Sequence, residues 1–392
     1  MQLAVGIGNS NLEDGYAASM EAVSLALETL GPGDASFAFV FCTIGYEQED
    51  VLEAVTEKLG DVPMSGATFE GIIGRGFADE SMYAVQVVLL RSDTIRFHSF
   101  CAGNGIEHPL EAGEYLGRQV AEVGGDGNRV LFLFPDFRMN VTRLFEGIEN
   151  HCVLPFIGGV SGDNLHFQQC YQFYNGEAVE AACSAVLMVG DFELKTIVTH
   201  GSEPLGGRAV VTRSEGTVIY EIDGMPALEF ASRAFGEAIT PENIGTAIPL
   251  MGVGLLIEDS AESLSPYVLR AIHGFDFASK SCTVPTEVPE GTEIEFMRRD
   301  PRSVVESGRA GARQIQRGFE PGVASPKLVC QFDCAGRGKC IVGDEVLSGV
   351  EMIQRVFDEN VPWMGSFAFG EISPVDQRNF FHNFTATLAV FY

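Results

Sequence analysis

The sequence predicts an α+β fold: mixed β-sheets built from repeated strand–helix–strand units, covered by helices and arranged as two packed sub-domains. Three observations carry this. First, an apolar strand pattern leads to a helical run and then to aliphatic-Pro-bulky-x-Gly-small at three places. These are Ala38–Cys42 with Val62–Ala67, Arg129–Phe134 with Leu154–Gly159, and Leu328–Phe332 with Val361–Ser366. Second, the spacing recurs: Cys42 to Pro63 and Phe134 to Pro155 both span 21 residues, and Phe332 to Pro362 spans 30, the excess lying in Cys334–Cys340. Internal similarity of this kind marks a repeated architecture. Third, no low-complexity linker interrupts the 392 residues, so the parts pack together.

The elements follow in order. Leu3–Gly8 reads as a strand, and Leu12–Leu30 as a helix with Met20, Val23, Leu27 and Leu30 at helical spacing. Gly31-Pro32-Gly33 stops it. Strand 36–43, helix 48–59 and strand 62–68 form the first unit. Tyr83–Leu90 is a strong strand, expected to pair with Thr94–Phe100. Helix 110–123 precedes the second unit, whose helix runs from Asn140 to about Asn150. Tyr171–Tyr174 is a strand followed by Asn175-Gly176, a strong hairpin-turn signal. Ala182–Val189 and Leu194–His200 are expected to pair as 83–90 does with 94–100. A segment of another kind follows: strand Gly216–Ile222, turn Asp223-Gly224, a helix from Pro226 to about Gly236, strands at 268–272, 281–284 and 293–297, and a helix Ser303–Phe319. The last strand, Phe384–Tyr392, places the C-terminus in a sheet. The best division gives domains 1–212 and 213–392.

Lys plus Arg is 25 and Asp plus Glu is 54, a net charge of −29 spread along the chain. That field repels nucleic acid and anionic membrane, so neither is an expected partner. The N-terminus has no basic region or apolar core of a signal peptide, and no apolar run reaches bilayer length. The nine cysteines sit mostly in apolar runs, with no Cys-x-x-Cys pair. They read as reduced residues of a cytoplasmic protein.

The run Gly158-Gly159-x-x-Gly162-Asp163-Asn164 followed by Tyr171-Gln-Phe-Tyr-Asn175 resembles the first half of a FIST domain. So does His200-Gly201 followed by Arg213–Gly216 and Tyr220–Gly224. Cys334-Ala-Gly-Arg337, Gly365–Glu371 and Asn383-Phe-Thr385 resemble the C-terminal portion of the family. The resemblance implies a sensory module of intracellular signal transduction that binds a small molecule, an amino acid being one candidate, with no catalytic role. It also implies a separate output partner, a histidine kinase of a two-component system or a chemoreceptor. A branch of the family is described as haem-containing nitric-oxide sensors, which makes haem the one cofactor to test.

The Gly158–Asn164 turn has the form of an anion or polar-headgroup cradle, because glycines permit positive φ and convergent N–H groups. Equally, those glycines could serve only close backbone approach, since the turn recurs near Gly66 and Gly365. The expected ligand set is Gly158, Gly159, Ser161, Gly162, Asp163, Asn164, His200, Arg270, Cys334, Arg337, Gly365, Glu371 and Asn383, around one cleft between the two parts. Arg337 and Glu371 are expected to form a bidentate pair. Arg270, flanked by apolar residues, needs a carboxylate from the protein or from a ligand. His200 could serve as a haem ligand, although a strand-end histidine is more often structural. Cys334 or Ser161 as nucleophile of a hydrolase or transferase is the weakest reading: no triad spacing or Gly-x-Ser-x-Gly elbow is present. No residues have metal-site spacing.

Overall fold

The computed structural model describes residues 3–257, 265–317 and 325–392. One plan is used three times: edge strand, helix, buried strand, helix, second buried strand, hairpin and closing strand. Unit 1 comprises β1 (Ala4–Ser10), α1 (Gly15–Leu30), β2 (Phe37–Cys42), α2 (Gln48–Leu59), β3 (Met64–Thr68), the hairpin β4 (Gly71–Gly74) and β5 (Phe77–Asp79), and β6 (Val85–Arg91). Unit 2 repeats it with β7 (Ile95–Ala102), α3 (Pro109–Glu122), β8 (Asn128–Pro135), α4 (Val141–Glu149), β9 (Phe156–Gly159), β10 (Gln172–Tyr174), β11 (Glu177–Val179) and β12 (Cys183–Gly190). Local chemistry sets the helix starts. The Asp14 side chain accepts Ala17 N–H at the head of α1, and Asn140 accepts Arg143 N–H at the head of α4.

Unit 3 begins with β13 (Leu194–Thr199) and is then interrupted by an inserted sheet. The insert holds β14 (Ser202–Pro204), β15 (Ala209–Glu215), β16 (Val218–Ile222), β17 (Met225–Pro226), α5 (Ala227–Phe235), α6 (Ile244–Ala247), β18 (Met251–Leu256), β19 (Tyr267–Ala271), β20 (Gly274–Asp276), β21 (Ser281–Thr283) and β22 (Glu293–Arg299). The unit resumes with α7 (Pro301–Arg317), β23 (Leu328–Cys334), α8 (Lys339–Val342), α9 (Val346–Gln354), β24 (Trp363–Ala368), the hairpin β25 (Glu371–Val375) and β26 (Arg378–His382), and β27 (Ala386–Phe391). The expected end of the 303–319 helix at Phe319 lies outside the described residues. A boundary at 212/213 falls inside β15, so the insert, rather than a linker, is what divides the chain.

In every unit the two buried strands are parallel neighbours: β2 with β3, β8 with β9, β23 with β24. The hairpins are exchanged around a closed circuit. Hairpin β4–β5 completes the sheet of unit 3, β10–β11 that of unit 1, and β25–β26 that of unit 2. Three six-stranded sheets result, and the insert forms a nine-stranded one. The expected pairing of 83–90 with 94–100 does not form. Strand β6 already has β1 and β2 on its two edges, so β7 pairs with β12 instead. For the same reason 182–189 does not pair with 194–200: β12 is flanked by β7 and β8, and β13 goes to β27.

The glycine corners do not surround a hollow. Gly66, Gly158 and Gly365 stand opposite Val40, Leu133 and Gln331 in the three parallel pairs. A Cβ there would lie 1.8, 2.2 and 1.8 Å from the carbonyl oxygen of that partner. These glycines therefore serve close approach of neighbouring strands. The residues after those partners, Phe41, Phe134 and Phe332, meet at the centre with ring centroids 5.3, 6.4 and 6.2 Å apart. Phenylalanines fill the space expected for a guest. Their edge-to-face and tilted contacts belong to a core shared by all three sheets.

Candidate ligand site

The Ser161–Asn164 stretch is occupied by its own backbone. The Asp163 carboxylate accepts N–H groups of Phe167, Gln168 and Gln169 at 2.6 to 3.0 Å, and it is buried. It holds Asn164, Leu165 and Phe167 at positive φ. His166 Nδ1 lies 2.8 Å from the backbone oxygen of Asp163, not from its carboxylate. The Asn164 side chain accepts from Ile44 N and donates to Glu70 O, tying units 1 and 2. Ser161 Oγ donates to Pro135 O and accepts from Gln172. Gly162 packs against Phe369 and Glu70 N. With their polar groups committed, these residues form a structural corner, and among the described residues Ser161 Oγ bonds only Pro135 O and the Gln172 amide.

Five other expected residues, His200, Cys334, Arg337, Glu371 and Asn383, do converge where the third unit meets its insert. Arg337 does not pair with Glu371. Its Nε lies 3.4 Å from Asp333 Oδ2, and its other nitrogens reach His200 O (3.4 Å) and Val304 O (2.9 Å). Asp333 wins because it sits four residues back at the end of β23, directly under the Arg337 turn. Both are buried, beside a void of about 20 Å³, room for little more than one water. Cys334 is buried, and burial pushes its thiol well above the ordinary range, so it is not an activated nucleophile. Asn383 links Ala271 N to Phe369 O and fastens β19 to the last hairpin. Gly159 pairs directly with Glu371, and Gly365 N donates to Gln86.

Glu371 is fully buried. Its Oε2 accepts from Thr385 N (3.1 Å) and Oγ1 (2.6 Å), and burial raises its pKa well above the carboxylate range. Around it, two walls face each other. On β25–β26, Glu371 Oε1, Ser373 Oγ and His382 Nδ1 have no protein partner among the described residues. Across from them, His200 Nε2, Ser202 Oγ and Arg299 Nε have none either. Ser202 and Arg299 are cross-strand partners, His200 disfavours protonation of His382, and Arg299 senses Glu371. Leaving one such atom unmet costs about 1–3 kcal/mol, and six would rival the ~5–15 kcal/mol net stability of a domain. The mix of donors and acceptors suits small polar guests such as water.

Haem does not fit His200. Its Nδ1 accepts Ser202 N–H at 2.8 Å, so the proton of the neutral ring is on Nε2, which leaves no lone pair for iron. Burial and the Arg337 and Arg299 charges lower its pKa to about 4, keeping the ring neutral.

Arg270 is the expected residue that borders real space. Its Nε donates to Thr286 Oγ1 (2.7 Å) and its Nη1 to Phe381 O (2.7 Å) and Leu269 O (3.0 Å). No carboxylate among the described residues pairs with it, and Nη2 has no protein acceptor there. Burial alone lowers its pKa to about 10, so it remains a cation at neutral pH. It lines a pocket of about 330 Å³ between α4 and β26. One face of α4 supplies Thr142, Phe145, Glu146, Glu149 and Asn150; Asn379, Phe380 and Phe381 form the opposite wall. The sequence analysis did not single out this helix face: Thr142, Glu146 and Glu149, at i, i+4 and i+7, form a polar stripe of the kind that usually faces solvent. It also missed Arg299, whose partners Pro249 and Gly336 lie far off in sequence, and Asp333 and His382, which are buried inside or at the end of strands.

The FIST N domain model matches residues 36–225 and the FIST C domain model residues 227–374. An uncharacterized protein of Mycobacterium bovis is 26% identical over 409 residues, covering 99% of both chains. Another, from Mycobacterium tuberculosis, is 24% identical over 402 residues, covering 99% of this chain and 100% of the relative. An uncharacterized protein of Methanocaldococcus jannaschii is 30% identical over 129 residues, which is 30% of this chain and 25% of the relative.

Proposed function

The chain belongs to the FIST family through both its N and C domains, and from that premise we propose that it is a small-ligand sensory module whose ligand enters the pocket between α4 and β26. FIST domains are described as sensory domains of signal transduction, a sensor rather than an enzyme. The ligand is polar and amino-acid-like in carrying a carboxylate, which completes the coordination of Arg270. One observation carries the reading: Arg270, 6% exposed and paired with no carboxylate among the described residues, borders a pocket of about 330 Å³. A buried cation needs a counter-charge, and Nη2, which has no acceptor among the described residues, leaves a place for one.

The pocket also sits where a signal could pass on. Unit 2 supplies α4, unit 3 supplies β26, and the insert supplies Arg270, so an occupant would touch all three. The output would go to a separate signalling protein such as a histidine kinase or chemoreceptor. The test is thermal stabilisation by a panel of small carboxylates, with native mass spectrometry of the purified protein. Arg270→Met should lose the stabilisation. Arg337→Ala should lower the melting temperature yet keep the ligand shift, because Arg337 is committed to Asp333. Persistence of the shift in Arg270→Met would sink the proposal.

A further inference from the structure

Resting on that pocket, the geometry points to a ligand with separated charges: a carboxylate at one end, a cation at the other and an apolar stem between them. The positive pole is fixed by Arg270. Its Nε partner, Thr286, precedes Glu287, which reaches Arg143 at 4.0 Å, so this end lies beside the first turn of α4. The opposite end is fixed by Asn379, which donates to Glu149 Oε1 (3.0 Å) and Leu154 O (3.0 Å). That end lies at the last turn of α4, where Glu146, Glu149 and Asn150 line the wall.

Two independent features make the far end a cation site. Glu146 and Glu149 bring formal negative charge: Glu146 pairs with the exposed Arg143 at 2.8 Å, a type of surface pair that contributes little, and Glu149 accepts from the neutral Asn379 amide. The C-terminus of α4 also carries the negative end of the helix dipole. Between the poles, Phe145, Phe380 and Phe381 give an apolar wall. From Thr142 to Glu149 the helix advances about two turns, roughly 10 Å. A simple anion would gain Arg270 but meet both glutamates and the −29 net charge of the chain. An α-amino acid with a short side chain holds its two charges too close together to reach both ends. A long ω-amino carboxylate, or a peptide C-terminus with a basic side chain, spans them.

Isothermal titration of the full chain with octanoate, octylamine, γ-aminobutanoate, ε-aminohexanoate and ω-aminooctanoate tests this. The two longer amino carboxylates should bind at least tenfold more tightly than octanoate or γ-aminobutanoate. The pair Glu146→Gln with Glu149→Gln should remove that advantage, weakening the amino carboxylates and, by relieving the repulsion of a simple anion, tightening octanoate. Equal binding of octanoate and ω-aminooctanoate to the native chain, or an advantage that survives both glutamine changes, overturns the charge-separated ligand. Those results leave the pocket standing so long as Arg270→Met abolishes octanoate binding. Octanoate binding that is unaffected by Arg270→Met overturns the pocket itself.

Discussion

Glu371 shows how pseudo-symmetry separates folding from function at the residue scale. Gln172 occupies the equivalent place in unit 2: it stands opposite Ala67, as Glu371 stands opposite Gly159, each one residue past a corner glycine. Gln172 Oε1 accepts the N–H of Ala182, just before closing strand β12, at 3.1 Å. Glu371 Oε2 accepts the N–H of Thr385, just before closing strand β27, also at 3.1 Å. An amide oxygen therefore suffices for the structural task, and in unit 2 the amide nitrogen is satisfied as well. Glu371→Gln should leave stability within about 1 kcal/mol of the native chain, whereas Glu371→Leu should cost about 1–3 kcal/mol by stranding the Thr385 donors. Denaturant midpoints decide it. Equal losses in both variants would show that the charge, not the acceptor, holds the strand.

At the element scale, the parallel strand pairs depend on a glycine at one register position. Gly365→Ala would drive a methyl to 1.8 Å from the Gln331 carbonyl oxygen, and backbone cannot move aside there without opening the β23–β24 pair. Gly103, with nothing within 4 Å of its Cβ position, is the control. Gly365→Ala should lower stability by about 3 kcal/mol or more, in the range of other severe core changes, and Gly103→Ala by less than about 0.5 kcal/mol. Thermal melts of the two variants would expose a false premise if they coincided. The same strand pairs set the phenylalanine centre, since each corner glycine faces the residue just before Phe41, Phe134 or Phe332.

For the whole molecule, buried ionisable groups set an acid-leaning stability profile. Burial, with the Glu80 charge, raises Glu70 to about 8, and burial raises Glu80 to about 7. The folded state thus holds protons that the unfolded chain releases near its ordinary carboxylate pKa, and stability falls as pH rises toward 8. His200 and His382, lowered by burial to about 4 and about 3, act oppositely. The unfolded chain binds protons there first, so stability falls as pH drops below the ordinary histidine value near 6.5. The two effects oppose each other at mildly acidic pH, and only the carboxylates act above it. The melting temperature should therefore be higher at pH 6 than at pH 8, and Glu70→Gln should flatten that difference. A melting temperature that climbs between pH 6 and pH 8 in the native chain contradicts this account.

Much of the plan could be read from residues alone. The three strand–helix–strand units, the Asn175-Gly176 hairpin and the family were legible because hydrophobic period, turn chemistry and the glycine–proline spacing are local signals that survive in one dimension. The hairpin exchange was not: which edge is free for a strand such as β7 depends on what its neighbours have already taken. The candidate site divides in the same way. Arg270 was readable as a cation in need of a counter-charge, because its apolar flanks implied burial. That the glycine corners close on phenylalanine, that Asp333 rather than Glu371 holds Arg337, and that α4 lends Glu146 and Glu149 to the pocket were decided only in three dimensions. Packing and ion pairing are settled by proximity, and proximity across units is fixed by the fold as a whole.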